Sequence, residues 1–149
     1  RRSEQVVASW MTQQDRALMI ADTVAYLSAV LEAVARERPL SQTLVLAGFS
    51  QGVSAAFRLA CALARPVDGL IALGGDVPPE LGPAELGRIP RVLLARGHSD
   101  QWYSSAQWST DQARLADAGA QVELCTFDGA HEWSAEFSAR SGAFLARFV

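Results

Sequence analysis

Four short, almost continuous apolar runs divide this chain, and they constrain its fold more than any other feature. The runs lie at 43–49, 67–75, 91–97 and 120–127, and segments with helical spacing lie between most of them. Strands that are apolar along their whole length are typical of parallel sheets, because helices cover both faces of such sheets. The alternation predicts a single α/β domain over residues 1–149, with a mostly parallel sheet and helices on both faces.

The segments around the runs predict the helices. Apolar residues recur at helical spacing over 13–37, before the first strand, and further helices are predicted over 51–64, 105–118 and 134–149. Gly119 follows the helix predicted over 105–118, at the position where a helix C-terminus favours glycine. The stretch 76–90 contains four prolines, so it is predicted to be a long loop.

Composition excludes several classes of protein. Half of the residues are hydrophobic and 19% are charged, which is typical of a compact domain and not of a disordered chain. The net charge of −3 offers no basic surface for nucleic acid. No apolar run approaches the roughly 20 residues that span a bilayer, and no signal-peptide core precedes the first helix, so we expect a cytoplasmic protein without a membrane span. Cys61 and Cys125 lack the spacing of metal ligands, and neither a metal nor an organic cofactor is expected.

The turn after the first apolar run has the pattern of a catalytic motif, Gly48-Phe49-Ser50-Gln51-Gly52. G-x-S-x-G between a strand and a helix holds a serine hydroxyl above the sheet edge in a strained turn. Side chains at positions 48 and 52 are expected to collide with that turn, so both require glycine. The helix N-terminus behind Ser50 supplies free N–H groups, and we predict that the Gln51 N–H stabilises an oxyanion. An ordinary strand-to-helix turn can carry the same letters by chance, and a serine nucleophile also needs a base.

The search for a base is short because the chain contains only two histidines. His98 follows the third apolar run and His131 follows the fourth. The carboxyl ends of parallel strands meet at one edge of a sheet, so either imidazole is placed where such sheets bind ligands. We favour His131, since taking His98 as the base would leave His131 unexplained and would put base and acid on one loop.

Three aspartates are candidates for the acid that orients the base. Asp100 follows the third run, Asp76 the second and Asp128 the fourth. The chain order Ser50, Asp100, His131 is the order of α/β-hydrolases, and it predicts a catalytic triad of these residues. Asp76 remains the main rival, because an acid after the preceding strand can reach the same histidine, and Asp128 is interpreted as a turn residue.

Four segments form a recognisable set: GFSQG at the elbow, Trp10-Met11 before the long first helix, Gly97-His98-Ser99-Asp100 at the acid and Gly129-Ala130-His131-Glu132 at the base. Together they resemble the phospholipase/carboxylesterase family of α/β-hydrolases, and the resemblance runs from about Trp10 to the C-terminus. The resemblance implies an α/β-hydrolase fold and the hydrolysis of carboxylic esters or thioesters through an acyl-enzyme. The implied partner is a small-molecule ester.

One family feature is missing from the sequence. Members of the family begin with strands that carry a His-Gly oxyanion segment, and no His-Gly occurs upstream of Ser50. We therefore expect that the chain is the C-terminal two-thirds of the domain, that the first strands lie on another segment or chain, and that an exposed sheet edge pairs with them. The alternative is a weakly active or non-catalytic binding and assembly module, against which the presence of Ser50, Asp100 and His131 argues.

Three aromatic residues flank the predicted acid and base. Trp102 and Tyr103 follow Asp100, and Trp133 follows His131. They are predicted to line a pocket for an acyl or alcohol group. Packing of the two loops explains the same residues equally well, and both interpretations stay open.

Overall fold

The structure is a computed structural model and describes residues 15–148. The Trp10-Met11 segment, on which part of the family resemblance rests, lies outside the described residues. So does Val149, the last residue of the predicted C-terminal helix.

Within this range, four parallel strands form one sheet in chain order. They are β1 (Val45–Phe49), β2 (Gly69–Leu73), β3 (Arg91–Gly97) and β4 (Gln121–Phe127). The four apolar runs are thereby confirmed as strands, and the parallel sheet is confirmed with them. Since all strands run the same way, their carboxyl ends share one edge, which brings the segments that follow β1, β2, β3 and β4 together.

In the described part of the chain, five helices connect and cover the strands. They are α1 (Arg16–Glu37), α2 (Gln51–Ala62), α3 (Pro83–Leu86), α4 (Ser105–Asp117) and α5 (Ala135–Leu145), and a 3₁₀ turn over Ala146–Phe148 follows the last. The predicted loop over 76–90 is therefore wrong in part, because it contains α3. Proline is tolerated in the first turn of a helix, and Pro83 occupies that position. Gly119 has φ 87°, as expected for a glycine that ends a helix.

Two apolar clusters lie on opposite faces of the sheet. Alternate residues of β2 and β3 contribute to each, because successive side chains of a strand point to opposite faces. Phe57 of α2 is buried in one cluster, with Leu70, Val92 and Leu94. Phe137 and Phe144 of α5 are buried in the other, with Ile71, Leu73, Leu93 and Phe127. Each fully buried side chain of this size stabilises the fold by about 1.5–3 kcal/mol, which explains why the strands are apolar on both faces.

The β1 edge of the sheet is less covered. Among residues 15–148, β1 pairs with β2 alone, and α1 has no buried residue although it contacts α2. A cavity of about 620 Å³ opens between α1, β1 and α2; we call it the edge groove. Its lining includes Ile20, Leu27, Leu46, Ala47, Ala55 and Leu59.

The sequence expectation that no segment is long and apolar enough to span a bilayer is not met by α1. This helix of 22 residues passes that test by length and composition. A helix that packs inside a folded domain passes the same test, so the finding alone is weak evidence for a membrane.

Candidate active site

The backbone of Ser50 is strained. Ser50 has φ 56° and ψ −125°, a region that side-chain-bearing residues seldom occupy. Its N–H donates to the Leu73 carbonyl of β2 at 2.9 Å, and its carbonyl accepts from the Val53 N–H at 3.0 Å. Such a conformation costs of order 1–3 kcal/mol and persists only where the surroundings enforce it. Ser50 precedes α2 directly, and its side chain makes no capping hydrogen bond, so the hydroxyl is available for other chemistry.

The two glycines of the motif have different roles. A Cβ built on Gly48 would overlap the Gly52 carbonyl, so the requirement for glycine at position 48 is confirmed. A Cβ on Gly52 would have no described atom within 4 Å apart from its chain neighbours and the backbone of its own helix. The expected collision at position 52 is therefore wrong, because the first turn of α2 directs this position away from the strand.

The structure brings Asp100 and His131 together. Nδ1 of His131 lies 2.9 Å from Oδ2 of Asp100. The other carboxylate oxygen, Oδ1, accepts the N–H groups of Trp102 at 2.9 Å and Tyr103 at 3.0 Å. The Asp100 side chain is 1% exposed. Burial alone would raise the pKa of Asp100, but the hydrogen bonds from Tyr103, His131 and Trp102, with the His131 charge, hold it below its ordinary value. Asp100 is thus kept as a carboxylate.

The ring of His131 lies over the carboxyl ends of the neighbouring strands. Its centroid is 4.8 Å from that of Phe49, the residue before Ser50. Gly74, directly after β2, has φ 62°, and a Cβ there would lie 3.2 Å from both Asp100 Oδ2 and His131 Nδ1. Because Nδ1 is engaged by Asp100, Nε2 is the free nitrogen, and it has no hydrogen-bond partner among residues 15–148.

The rival candidates lie elsewhere at the same edge. His98 is exposed, and its N–H donates to the Phe127 carbonyl at 2.9 Å. Asp76 is exposed, and its carbonyl accepts from the Ser54 hydroxyl at 3.3 Å. Asp128 is exposed in the turn after β4. Within the described part of the chain, Asp100 is the carboxylate that bonds to His131.

The predicted pocket residues fall into three different environments. Trp102 is 80% exposed, whereas Tyr103 is 1% exposed and donates its hydroxyl to Asp111 at 2.9 Å. Both border a small cavity of about 110 Å³ next to Ser50, whose walls also include Gly74, Gly75, Asp76 and Gln107. Trp133 donates its indole N–H to Ser138 at 2.9 Å and stacks edge-on against Phe137 at 4.8 Å. Its role in a pocket stays a prediction, as do those of Trp102 and Tyr103.

Gln51 is the first residue of α2 and is exposed. The first N–H groups of a helix have no intrahelical acceptor, so the Gln51 N–H is placed at the positive end of α2, one residue beyond Ser50.

No group of three histidine, cysteine or acidic side chains in residues 15–148 is arranged to hold a metal ion.

Sequence reasoning missed the residues that hold the loop between β3 and α4, residues 98–104, which we call the acid loop because it carries Asp100. Arg96 is 8% exposed, and it donates to the carbonyls of Tyr103 at 3.1 Å and of His98 and Asp100 at 3.4 Å. Asp111 of α4 is buried under the same loop. A signal for Arg96 was visible in the sequence, since a charged residue within an apolar strand needs buried polar partners. Asp111 gave no such signal, because polar residues are ordinary on an amphipathic helix.

The comparisons with known proteins agree with this architecture. A sequence model of the phospholipase/carboxylesterase family matches residues 6–147. Among curated proteins, no significant match was found. The fold resembles a carboxylesterase from Bacillus cereus (TM-score 0.76, 18% identity, 96% of this chain and 72% of that one). It also resembles a carboxylesterase from Mesorhizobium loti (TM-score 0.74, 20% identity, covering 94% of this chain and 66% of that one).

SOBER1 from Arabidopsis thaliana is a third neighbour in structure (TM-score 0.71, 18% identity, 87% of this chain and 64% of that one). The chain thus spans just under two thirds of the length of the SOBER1 protein. At these identities the likeness establishes the fold, which is that of an α/β-hydrolase.

Proposed function

The family match over residues 6–147 means that this chain belongs to the phospholipase/carboxylesterase family, and on that basis we propose that Ser50 hydrolyses carboxylic esters or thioesters through an acyl-enzyme. The family and the fold support a hydrolase. The Ser-Asp-His triad, the acyl-enzyme and the ester or thioester substrate are the proposal. The alternative of a non-catalytic binding module is not favoured by the family match.

The mechanism assigns one role to each member of the triad. Nε2 of His131 takes the proton of the Ser50 hydroxyl while the Ser50 oxygen attacks the ester carbonyl. Asp100, bonded to Nδ1, holds the imidazole in the tautomer that leaves Nε2 free and then stabilises the imidazolium. The imidazolium returns the proton to the leaving alcohol or thiol, and water attacks the acyl-enzyme by the same route in reverse.

The Gln51 N–H is the proposed oxyanion donor. It lies directly after the nucleophile at the N-terminus of α2, where the helix dipole favours negative charge. Loss of one such donor typically slows the reaction by about 10²–10³. A fully active site needs a second donor, and none is assigned among the residues 15–148.

The observation that carries the proposal is the 2.9 Å contact between His131 Nδ1 and Asp100 Oδ2. It orients the histidine at the edge where the strained Ser50 lies, with Nε2 unengaged. A carboxylate on Nδ1 fixes the tautomer in which Nε2 can accept a proton from the serine hydroxyl. Pairing of the β1 edge with a further strand, and a cytoplasmic location, stay predictions.

The proposal is tested with a fluorophosphonate probe and a short p-nitrophenyl ester. We expect the wild-type chain to be labelled and to release p-nitrophenol, and Ser50→Ala to lose both. The matched control is Ser109→Ala, which removes an exposed serine of α4 and should behave like the wild type. Labelling that survives in Ser50→Ala, or an unlabelled wild-type chain that is folded by circular dichroism, would contradict the proposal.

A further inference from the structure

Tyr103 has all three of its polar groups engaged. Its N–H donates to Asp100 Oδ1 at 3.0 Å, and its carbonyl accepts from Arg96 Nε at 3.1 Å. Its hydroxyl donates to Asp111 Oδ2 at 2.9 Å. With 1% of its surface exposed, the residue is enclosed by the protein. Burial and these three hydrogen bonds restrict Tyr103 to one conformation, and they also restrict the groups that are hydrogen-bonded to it.

The acceptor of the Tyr103 hydroxyl is itself held in place. Asp111 Oδ2 also accepts the Val77 N–H at 2.9 Å, and Asp111 Oδ1 lies 3.4 Å from Arg114. Arg114 in turn donates to the carbonyls of Val77 at 2.8 Å and Pro78 at 2.9 Å. Asp111 therefore joins three parts of the molecule: the acid loop, α4 and the segment after β2.

The Asp100 carboxylate depends on this arrangement. The N–H groups of Trp102 and Tyr103 fix its Oδ1 oxygen. Because the carboxylate is planar and rigid, fixing Oδ1 also directs Oδ2 toward His131. Trp102 is 80% exposed, so its side chain anchors the loop little. Tyr103 is the donor whose side chain is tied to the core. Burial and the nearby Asp111 charge raise the pKa of the Tyr103 phenol, which keeps its hydroxyl a donor.

We propose that Tyr103 is a positioning residue for catalysis: its hydroxyl bond to Asp111 fixes the main-chain N–H that holds Asp100 in line with His131. The inference rests on the proposed role of Asp100 as the acid of the triad. It gives Tyr103 a role distinct from that of a pocket wall, because the hydroxyl points to Asp111 and acts on the reaction through Asp100.

Tyr103→Phe is the variant that isolates this role. Phenylalanine keeps the buried ring and removes only the bond to Asp111, which retains its bond from Val77. We expect the carboxylate of Asp100 to become less ordered, and the bond to His131 to open more often. Loss of one hydrogen bond of this kind corresponds to a change of about tenfold in an equilibrium. We therefore expect kcat to fall about tenfold, with KM unchanged because no substrate contact is removed.

The direct measurement is proton NMR of the His131 Nδ1–H, which is strongly deshielded when it bonds to a carboxylate. Only two histidines occur in the sequence, and the ring of His98 makes no hydrogen bond in the described chain. Exchange of the His131 proton with water should be about tenfold faster in Tyr103→Phe than in the wild type. The conservative variant Asp111→Asn retains an acceptor oxygen for the Tyr103 hydroxyl, so its His131 proton should exchange at close to the wild-type rate.

The control for simple destabilisation is Ser104→Ala. Ser104 is the next residue in the chain, and its hydroxyl caps α4 by accepting the Gln107 N–H at 3.3 Å. This variant weakens the start of α4 without touching Asp100, so the His131 signal should exchange at the wild-type rate.

Unchanged exchange in Tyr103→Phe, or equal acceleration in Ser104→Ala, would overturn the positioning role. The NMR comparison needs no turnover. A wild-type chain that hydrolyses no ester contradicts the proposed function, and the exchange rates still decide the role of Tyr103.

Discussion

The nucleophile and the acid of the proposed triad are supported in different ways. Ser50 follows β1, which pairs on one side and lies beside the edge groove and a helix with no buried residue. Asp100 follows β3, which is buried along almost its whole length, and its loop is bonded to Arg96 and Tyr103. The position of the acid is thus fixed by bonds within the described chain. The position of the nucleophile depends on a strained turn held mainly by β2.

This difference indicates which substitutions should affect the site most. A strained backbone persists only when neighbouring contacts exceed its cost, and the Ser50 N–H bond to Leu73 supplies one such contact. On its other side β1 faces the edge groove. Changes near Asp100 should therefore affect chemistry strongly, and changes at the groove should affect the fold weakly.

The largest expected effect is at the acid. Asp100→Asn should lower kcat by about 10⁴, because an amide in place of the carboxylate favours the wrong tautomer of the imidazole. Asp76→Asn, at an exposed position after β2, should change kcat by less than about tenfold. Steady-state hydrolysis of a p-nitrophenyl ester measures both. A larger loss at Asp76 would transfer the role of the acid to that residue.

The next effect compares the core with the edge groove directly. Phe137→Ala empties a fully buried site under α5 and should cost about 3–5 kcal/mol of unfolding free energy. Leu27→Ala, on α1 at the groove, should cost about 1 kcal/mol because the leucine is only half-buried. Urea denaturation followed by circular dichroism gives both values. Equal losses would mean that the groove side is packed as firmly as the core.

A smaller effect separates the two glycines beside Ser50. Gly48→Ala should cost about 1–3 kcal/mol, since its methyl group would overlap the Gly52 carbonyl. Gly52→Ala should be neutral or stabilise by up to about 1 kcal/mol, because nothing described beyond its chain neighbours and its own helix backbone lies near the new methyl and the unfolded chain loses freedom. Thermal unfolding of the two variants provides the test. Gly52 lines the edge groove, so a strong loss at position 52 would show that the groove is filled in solution.

Much of the fold followed from the sequence because its signals are local. The strands are continuous apolar runs, and the elbow pattern fixes both a turn and the start of α2. The helical turn at Pro83 departs from the predicted loop, because proline breaks a helix in its interior but is favoured in its first turn. The collision expected at Gly52 was a generalisation from the motif, whereas the direction of a Cβ depends on the actual turn.

In the candidate site too, the residues with local sequence signals could be predicted, and those that depend on packing could not. Asp100 and His131 could be predicted as a pair because chain order and strand ends are visible in a sequence, and in the structure their side chains lie 2.9 Å apart; their catalytic roles stay predictions. The support from Tyr103 and Asp111 was not visible, since their bond depends on how α4 packs under the acid loop. The sequence leaves two interpretations of Tyr103 open, a pocket wall or packing of the loop, and its burial and its bond to Asp111 are what point to the positioning role.

The smallest effect is a dependence of stability on pH, with opposite signs at the two buried aspartates. The pKa of Asp100 is lowered, because hydrogen bonds from Tyr103, His131 and Trp102 outweigh its burial. Its contribution to stability is therefore present above the unfolded pKa of about 4 and is lost as the pH falls through the lower folded value. The pKa of Asp111 is raised, by burial first. Its contribution is present below the unfolded pKa and is lost as the pH rises through the folded value.

Urea denaturation of Asp100→Asn and Asp111→Asn between neutral and acid pH separates these signs. The stability deficit of Asp100→Asn relative to the wild type should shrink as the pH falls below about 4. The deficit of Asp111→Asn should instead grow at higher pH, as the pH falls through the raised folded pKa of Asp111 toward about 4, because the wild type gains there from protonating Asp111. If the stability deficits of the two variants changed with pH in the same way, the opposite pKa shifts of Asp100 and Asp111 would be contradicted. The bonds from Tyr103 and Trp102 would then not hold Asp100 as a carboxylate.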